Sequence, residues 1–231
     1  MKKITRRQIS YRGAIVGEIS LLHAESEDKI VEIASICYNK KIPEIRKKQL
    51  IQRLYKEHAG NPTSSFEFVN FLFKVKCPIF VARQWMRHRI GSYQEVSRRY
   101  YKGEPEFYTP RQLLDDKEYK QFLDKSKELY LSYIQNGIPS EVARCVLPLS
   151  TFTEFFWQVN LRSLINFLKV RLSPHAQVEI RCFADTILEL ITPYCPVVVE
   201  LIKRDLNGSG EGSTPVKKQL PVNGVATTHK I

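Results

Sequence analysis

Apolar positions recur at helical spacing in two early stretches, Ile30, Ile33, Ala34 and Cys37, then Ile45, Leu50, Ile51, Leu54 and Tyr55. Steps of three and four put each set on one face of an amphipathic helix, with a break near Pro43. The period then changes. In FEFVNFLFKVK, residues 66–76, the side chains of Val69, Phe71, Phe73 and Val75 alternate onto one side, and the aromatic and β-branched content predicts a strand. Pro78 suits the first turn of a helix, where its missing N–H costs nothing, and IFVARQWMRHR carries that helix toward Gly91. On it, Gln84 and Arg87 share one face and Trp85 and Arg89 another.

A second periodic segment, residues 114–135, stops at Asn136-Gly137-Ile138-Pro139 and restarts at Pro139, which is an αα connection. STFTEFFWQVN, residues 150–160, reads as extended, and a helix follows over 161–170. Ser173 and Pro174 fit the N-cap and first position of a last helix over 175–191. From Asp205 onward the chain is rich in Gly, Ser, Thr, Pro and Asn, so the expected organisation is one domain over 1–204 and a mobile tail over 205–231. Helices and strands are interspersed without βαβ alternation, and neither GxGxxG nor GxxxxGK[ST] occurs. A single domain of the α+β class with no Rossmann unit is expected.

The 231 residues, 43% hydrophobic and 26% charged, suffice for one core. The longest run without a charged side chain is twelve residues, 129–140, short of the roughly 20 needed to span a bilayer. The basic N-terminus lacks the apolar core of a secretory signal, so a cytoplasmic location is expected. Five cysteines, odd in number, scattered and without CxxC, suit reduced thiols.

Net charge alters the picture. At +12 and pI near 9.5 the chain favours anionic partners: phosphorylated metabolites, nucleic acid or an acidic membrane face. Lys2, Lys3, Arg6, Arg7 and Arg12 read as a surface run. Residues 83–102 hold Arg83, Arg87, Arg89, Arg98, Arg99 and Lys102 against Glu95 alone. Basic residues at a helix C-terminus complement its dipole. With Ser92, Ser97 and Tyr100 nearby, however, the same guanidiniums can fork around a phosphate. Three or four charge-assisted bonds of roughly 1.5–3 kcal/mol would supply micromolar binding. A basic RNA- or DNA-binding module would use Arg87, Arg98 and Arg99 with Tyr93 and Tyr100 as stacking partners.

RHRIGSYQEVSRRY, residues 87–100, resembles the signature RHRxxSxNExSxRY of flavin-dependent thymidylate synthases, agreeing at thirteen of fourteen positions with wildcards counted. The resemblance extends through PIFVARQWMRHR, EFYTP, IPSEVARCVLP and FFWQVNLRSLINFLKVRLSPHAQVEI, most of residues 30–195. It implies methylation of dUMP to dTMP, with 5,10-methylenetetrahydrofolate as one-carbon donor and FAD, reduced by NADPH, as hydride source. It also implies a mixed α/β subunit with a central antiparallel-rich sheet flanked by helices. The assembly would be a homotetramer with active sites at subunit contacts, and neither nucleic acid nor membrane would be a partner.

Position by position, the resemblance implies dUMP contacts at Gln84, Trp85, Met86 and Arg87, at Glu95, Val96, Ser97, Arg98 and Arg99 from a neighbouring subunit, and at Arg144 and Arg171. Arg171 would stabilise the ionised uracil, a role suited to a guanidinium that keeps its proton in a water-poor pocket. The implied flavin contacts are Cys37, Ser64, Arg87, His88, Arg89, Glu95, Asn160, Leu161, Arg162 and Asn166. Without the resemblance, Asn160 and Asn166 read as caps or solvent-facing residues, Arg162 and Arg171 as a solvated helix face, and Trp85 and Trp157 as core. Three departures stand out. Gln94 replaces an Asn, Cys37 replaces a Ser, and NPTSSFEF, residues 61–68, has Pro62 and Phe68 where the family's HxTPFEH carries histidines. A relative weakened in turnover by that loop is a further reading.

Overall fold

A computed structural model describes residues 5–39 and 41–208. Within them the strands β1 (Thr5–Tyr11), β2 (Ala14–Ala24), β3 (Asn70–Pro78), β4 (Ser92–Glu95) and β5 (Phe152–Asn160) form one sheet of order β1-β2-β3-β5-β4. Every neighbouring pair is antiparallel. The helices are α1 (Asp28–Ser35), α2 (Glu44–Lys56), α3 (Ile79–Trp85), α4 (Lys117–Gln135), α5 (Ser140–Ala143), α6 (Leu161–Arg171), α7 (Val178–Ile191) and α8 (Pro196–Gly208). The α+β class and the central antiparallel sheet are as expected, and no helix among the described residues is long and apolar enough to cross a membrane.

The period-two pattern decides which face of the sheet is covered. On β3, Phe71, Phe73, Val75 and Cys77 are fully buried while Leu72, Lys74 and Lys76 reach solvent. On β5, Thr153, Phe155, Trp157 and Val159 are buried in the same alternation. The register from Asn70↔Asn160 to Pro78↔Phe152 stacks the two rows, with Phe73 and Trp157 ring centroids 5.7 Å apart. Helices α3, α6 and α7 pack on the sheet, and α8 packs on α6, α7 and α2. The buried Glu27, just before α1, receives the N–H groups of Val197 and Val198 at 3.0 Å each, satisfying two donors in the first turn of α8. Burial raises its carboxyl pKa.

Several boundaries differ from the sequence reading, each for a local reason. The expected strand over 66–76 begins only at Asn70, because residues Ser64–Phe68 form a 3-10 turn that buries Phe66. The helix expected to reach Arg89 ends at Trp85, so Arg87 shares no helical face with Gln84. The helix expected as the last, over 175–191, is α7, which starts at Val178 and is followed by α8: Ser173 to Ala176 form a turn in which Ala176 N–H donates to Ser173 O. The hairpin β1–β2 was not anticipated. Its Arg6, Arg7 and Gln8 are exposed and Ile9 is buried, so part of the surface run is an edge strand. Lys2 and Lys3 lie outside the described residues. The expected tail begins too early, since α8 continues to Gly208 and Tyr55 Oη donates to Asp205 at 3.0 Å; residues 209–231 lie outside the described part.

Candidate active site

An aromatic joint positions the site. Trp85, the last residue of α3, is fully buried, with centroids 5.3 Å from Trp157 on β5, 5.0 Å from Phe167 on α6 and 5.4 Å from Phe183 on α7. Such pairs contribute roughly 0.5–1.5 kcal/mol each beyond the area they bury, so the end of α3 is pinned beside α6. The chain then turns: His88 N–H donates to Trp85 O at 3.0 Å, and Tyr93 Oη donates to His88 O at 2.8 Å. Arg87, His88 and Arg89 are thereby presented along α6.

Between this segment, α6 and the 61–67 loop lies a cavity of about 760 Å³, within the range of small-molecule and cofactor sites. Arg87, His88, Arg89, Asn160, Arg162, Asn166 and Arg171 line it, all expected from the sequence. Asn61, Pro62, Glu67, Ile90, Ser163, Ile165 and Lys169 line it too and were not expected. Lys169 had a readable signal, since Arg162, Asn166 and Lys169 recur at steps of four and three on one face of α6. The loop residues had none, because their approach depends on where β3 meets β5.

The charge balance of the cavity is one-sided. Five cations, Arg87, Arg89, Arg162, Lys169 and Arg171, face a single carboxylate, Glu67. Glu67 is spent on Arg162 at 2.5 Å, and Lys169 is held by Asp205 at 2.7 Å and stands over the Tyr55 ring. Arg87, Arg89 and Arg171 have no carboxylate partner among the described residues. The N-terminus of α6 opens here as well, with Asn160 Oδ1 accepting from Ser163 N–H at 2.9 Å. A helix N-terminus beside unpaired guanidiniums is a site for an anion such as a diphosphate.

Arg171, the last residue of α6, donates from Nε to His88 Nε2 at 3.0 Å and from one terminal nitrogen to Gln84 O at 2.7 Å. Burial lowers its pKa, yet an arginine stays charged at neutral pH. Burial, and after it the Arg171 charge, push the His88 imidazole down to about 4. The ring is therefore neutral at ordinary pH, and since Nε2 accepts, its proton sits on Nδ1.

Other expected site residues gather elsewhere. Ser92 pairs with Gln158 and Glu95 with Phe155, so β4 runs away from Asn160 along β5 and its Glu95 end lies five residues off, roughly 17 Å at strand rise. Glu95 accepts from Thr153 Oγ1 at 2.6 Å, and Val96 N–H donates to Glu154 O. Beyond them Arg98 donates to Gly103 O and lies over the Tyr101 and Tyr130 rings, while Arg99 pairs with Glu141 at 2.9 Å. Ser140 Oγ donates to Arg99 O, which ties this loop to α5 and the following turn, where Arg144 is exposed. Arg98, Arg99, Arg144, Glu95, Val96 and Ser97 thus form a second group outside the cavity within one chain.

Six expected contacts sit in neither group, among them Gln84, whose side-chain amide donates to Gln177 Oε1. Cys37 is exposed after α1, and Ser64 is exposed without lining the cavity. Trp85 is a core residue, as its apolar neighbourhood suggested, so its side chain cannot meet a nucleotide; Met86 packs partly against the same core. Leu161 is fully buried with its N–H spent on Val69 O at 2.7 Å, which removes it as a side-chain contact.

Residues 20–197 match the family described as "Thymidylate synthase complementing protein". The "Flavin-dependent thymidylate synthase" of Pseudothermotoga lettingae is 39% identical over 203 residues, covering 80% of this chain and 89% of that one. The chain belongs to the flavin-dependent thymidylate synthase family. The relative from Thermosipho africanus is 40% identical with 78% and 90% covered, and that from Thermus thermophilus 36% identical with 78% and 73% covered. Among solved structures, the UMP/dUMP methylase PolB from Streptomyces cacaoi bound with 5-Br UMP superposes with a TM-score of 0.70 at 25% identity, covering 88% of this chain and 95% of that one. The 61–68 loop brings no histidine to the cavity wall. Buried Pro62 lines the cavity without a donor, half-exposed Phe68 does not line it, and among the described residues His88 is the one imidazole on its wall.

Proposed function

We propose that this chain methylates dUMP to dTMP, with 5,10-methylenetetrahydrofolate supplying the carbon and NADPH the reducing equivalents. Overall, dUMP, methylenetetrahydrofolate, NADPH and a proton give dTMP, tetrahydrofolate and NADP⁺. One observation carries this reading: in a member of this family, Arg87, His88 and Arg89 of the signature and Arg171, 83 to 84 residues away from the first two, converge on one cation-rich cavity. The donor set fits FAD. Arg87, Arg89, Arg162 and the α6 N-terminus would hold its diphosphate, with Asn160 and Asn166 offering amides and Ile90 and Ile165 apolar wall. When bound, the flavin supplies the hydride that completes the methyl group.

The chain's own contribution is binding, orientation and charge. Carbon 5 of uracil becomes nucleophilic as negative charge gathers on the ring edge, and Arg171, partly desolvated, stabilises that charge more strongly than water would. No cysteine is needed for the activation. Cys77 and Cys195 are buried with thiol pKa values pushed up, which makes them poor nucleophiles.

The separation of the two arginine groups favours an assembly, in which Glu95 to Arg99 and Arg144 of one subunit close the nucleotide site of another. The uncovered face of the sheet, where Phe156 is 43% exposed, offers surface for it. The expected assembly is a homotetramer. The test is direct: purified protein should show flavin absorbance and form dTMP from dUMP when given NADPH and methylenetetrahydrofolate. Absence of both, with FAD added, would falsify the assignment. Two inactive variants, Arg171→Ala and Arg99→Ala, should recover part of their activity when mixed if sites are shared, and none if each chain works alone. A chain that binds flavin yet makes no product would be the relative weakened through its 61–68 loop.

A further inference from the structure

We propose that His88 is the positioning residue for Arg171: its imidazole accepts from the side edge of the guanidinium and so aims the end edge at the pyrimidine. The proposal rests on the reading that the pyrimidine meets Arg171. A guanidinium has five N–H donors in a fixed plane, with Nε–H and one terminal N–H forming a side edge. That edge is fully used, by His88 Nε2 at 3.0 Å and Gln84 O at 2.7 Å. The other three donors have no protein acceptor among the described residues, and two of them form the parallel pair of the end edge.

The two acceptors are fixed independently of any ligand. Gln84 O belongs to the last turn of α3, where carbonyls lack intrahelical donors. His88 is held by Tyr93 through its carbonyl and by an edge-on contact with Phe167, 5.0 Å between centroids. An unanchored arginine side chain samples many rotamers; two acceptors on one edge leave this one a single orientation before substrate arrives. The role demands a neutral ring, because a protonated imidazole offers no lone pair and would repel the guanidinium. The low pKa of the ring agrees with that. The same geometry refines the flavin contact that the family resemblance implies for His88, since Nε2 is committed to Arg171 and Nδ1–H alone is left for a ligand.

A double-mutant cycle on dUMP affinity, measured calorimetrically on the flavin-loaded protein, separates this role from a flavin contact. His88→Leu should weaken dUMP by roughly tenfold or more, the scale of one hydrogen bond to a charged group. It should also lower kcat at saturating dUMP, since the defect lies in aim. In the Arg171→Ala background the same change should have almost no further effect. His88→Gln, whose amide oxygen reaches the place of Nε2, should recover most of the loss. Flavin content and melting temperature are followed in every variant, and His88→Asn, too short to reach Arg171, replaces Leu if that variant does not fold. Equal losses with and without Arg171, or a Gln variant no better than Leu, would overturn the proposal while leaving the functional reading intact. An Arg171→Ala protein that binds and converts dUMP normally would overturn both.

Discussion

Replacing Arg171 by Lys and by Ala separates charge from geometry at the point where the chemistry is assigned. Removing one preorganised electrostatic donor typically costs about 10²–10³ in kcat, or roughly 2.7–4 kcal/mol. Arg171→Ala should therefore fall in that range. Lys keeps the positive charge but has no planar edge, so it cannot hold both His88 Nε2 and Gln84 O and still present a parallel pair. Its loss should be that of the directed hydrogen bonding alone, about 1.5–3 kcal/mol, or roughly 10- to 150-fold. Arg171→Ala also leaves Gln84 O without its donor, a cost of about 1–3 kcal/mol that partial exposure should hold near the lower end. A chain of this size should then melt about 2–4 °C lower. The assay is single-turnover dTMP formation with flavin content and melting temperature recorded beside it. Should Arg171→Ala turn over within about threefold of the parent while carrying normal flavin, the electrostatic role would be refuted.

Other consequences can be checked as directly. Glu67→Gln frees Arg162 from an ion pair whose side chains are 42% and 44% exposed; such pairs contribute about 0–1 kcal/mol, so FAD should bind up to roughly fivefold tighter to the apoprotein at low salt, and weaker binding would contradict the competition. Asn160→Ala removes the α6 cap and an amide of the cavity; stability should drop by about 1 kcal/mol in urea titrations, with flavin affinity falling alongside, and an unchanged denaturation midpoint would argue against the cap. Gly17→Ala should prevent folding or cost at least about 3 kcal/mol, because at φ +152° the added Cβ would lie 2.1 Å from the backbone oxygen of Lys76; soluble, normally melting protein would be the contrary result. Glu27 has a pKa raised above its ordinary 4.5 by burial, so the folded state takes up its proton at higher pH than the unfolded chain. Its contribution to stability should grow as pH falls through the folded pKa and be complete below 4.5. Urea titrations at pH 7 and 5 should show the parent gaining stability relative to Glu27→Gln on acidification, and a parent that loses stability relative to that variant would reverse the sign argued here.

The local pattern carried far. Alternation in residues 69–75 placed Val69, Phe71, Phe73 and Val75 inside, and all are fully buried. Steps of three and four located α1, α2, α4 and α6 to within a few residues. The hairpin β1–β2 was harder to read because its basic residues resemble any solvated run; what makes it a strand pair is the pairing of β2 with β3 and the cover of α7 on β1, both non-local. Likewise Phe66 fits a strand by composition, and only its burial in a turn explains the late start of β3.

Residue type and order alone fixed the chemistry on offer, since guanidiniums spaced as RHR and in the following loop specify anion binding wherever they end up. They could not say which of these arginines share a site, because that depends on contacts between segments up to about ninety residues apart. Antiparallel pairing of Asn70 with Asn160 brings the 61–67 loop to the head of α6, and the packing of Trp85 on Phe167 brings Arg87 to its flank. Once those two contacts form, Arg171 meets His88, while Arg98 and Arg99 are carried toward the opposite end of β5. One chain therefore builds a cavity for anions and, apart from it, a second set of arginines, a division that periodicity and motif spacing do not encode because both act only along the chain.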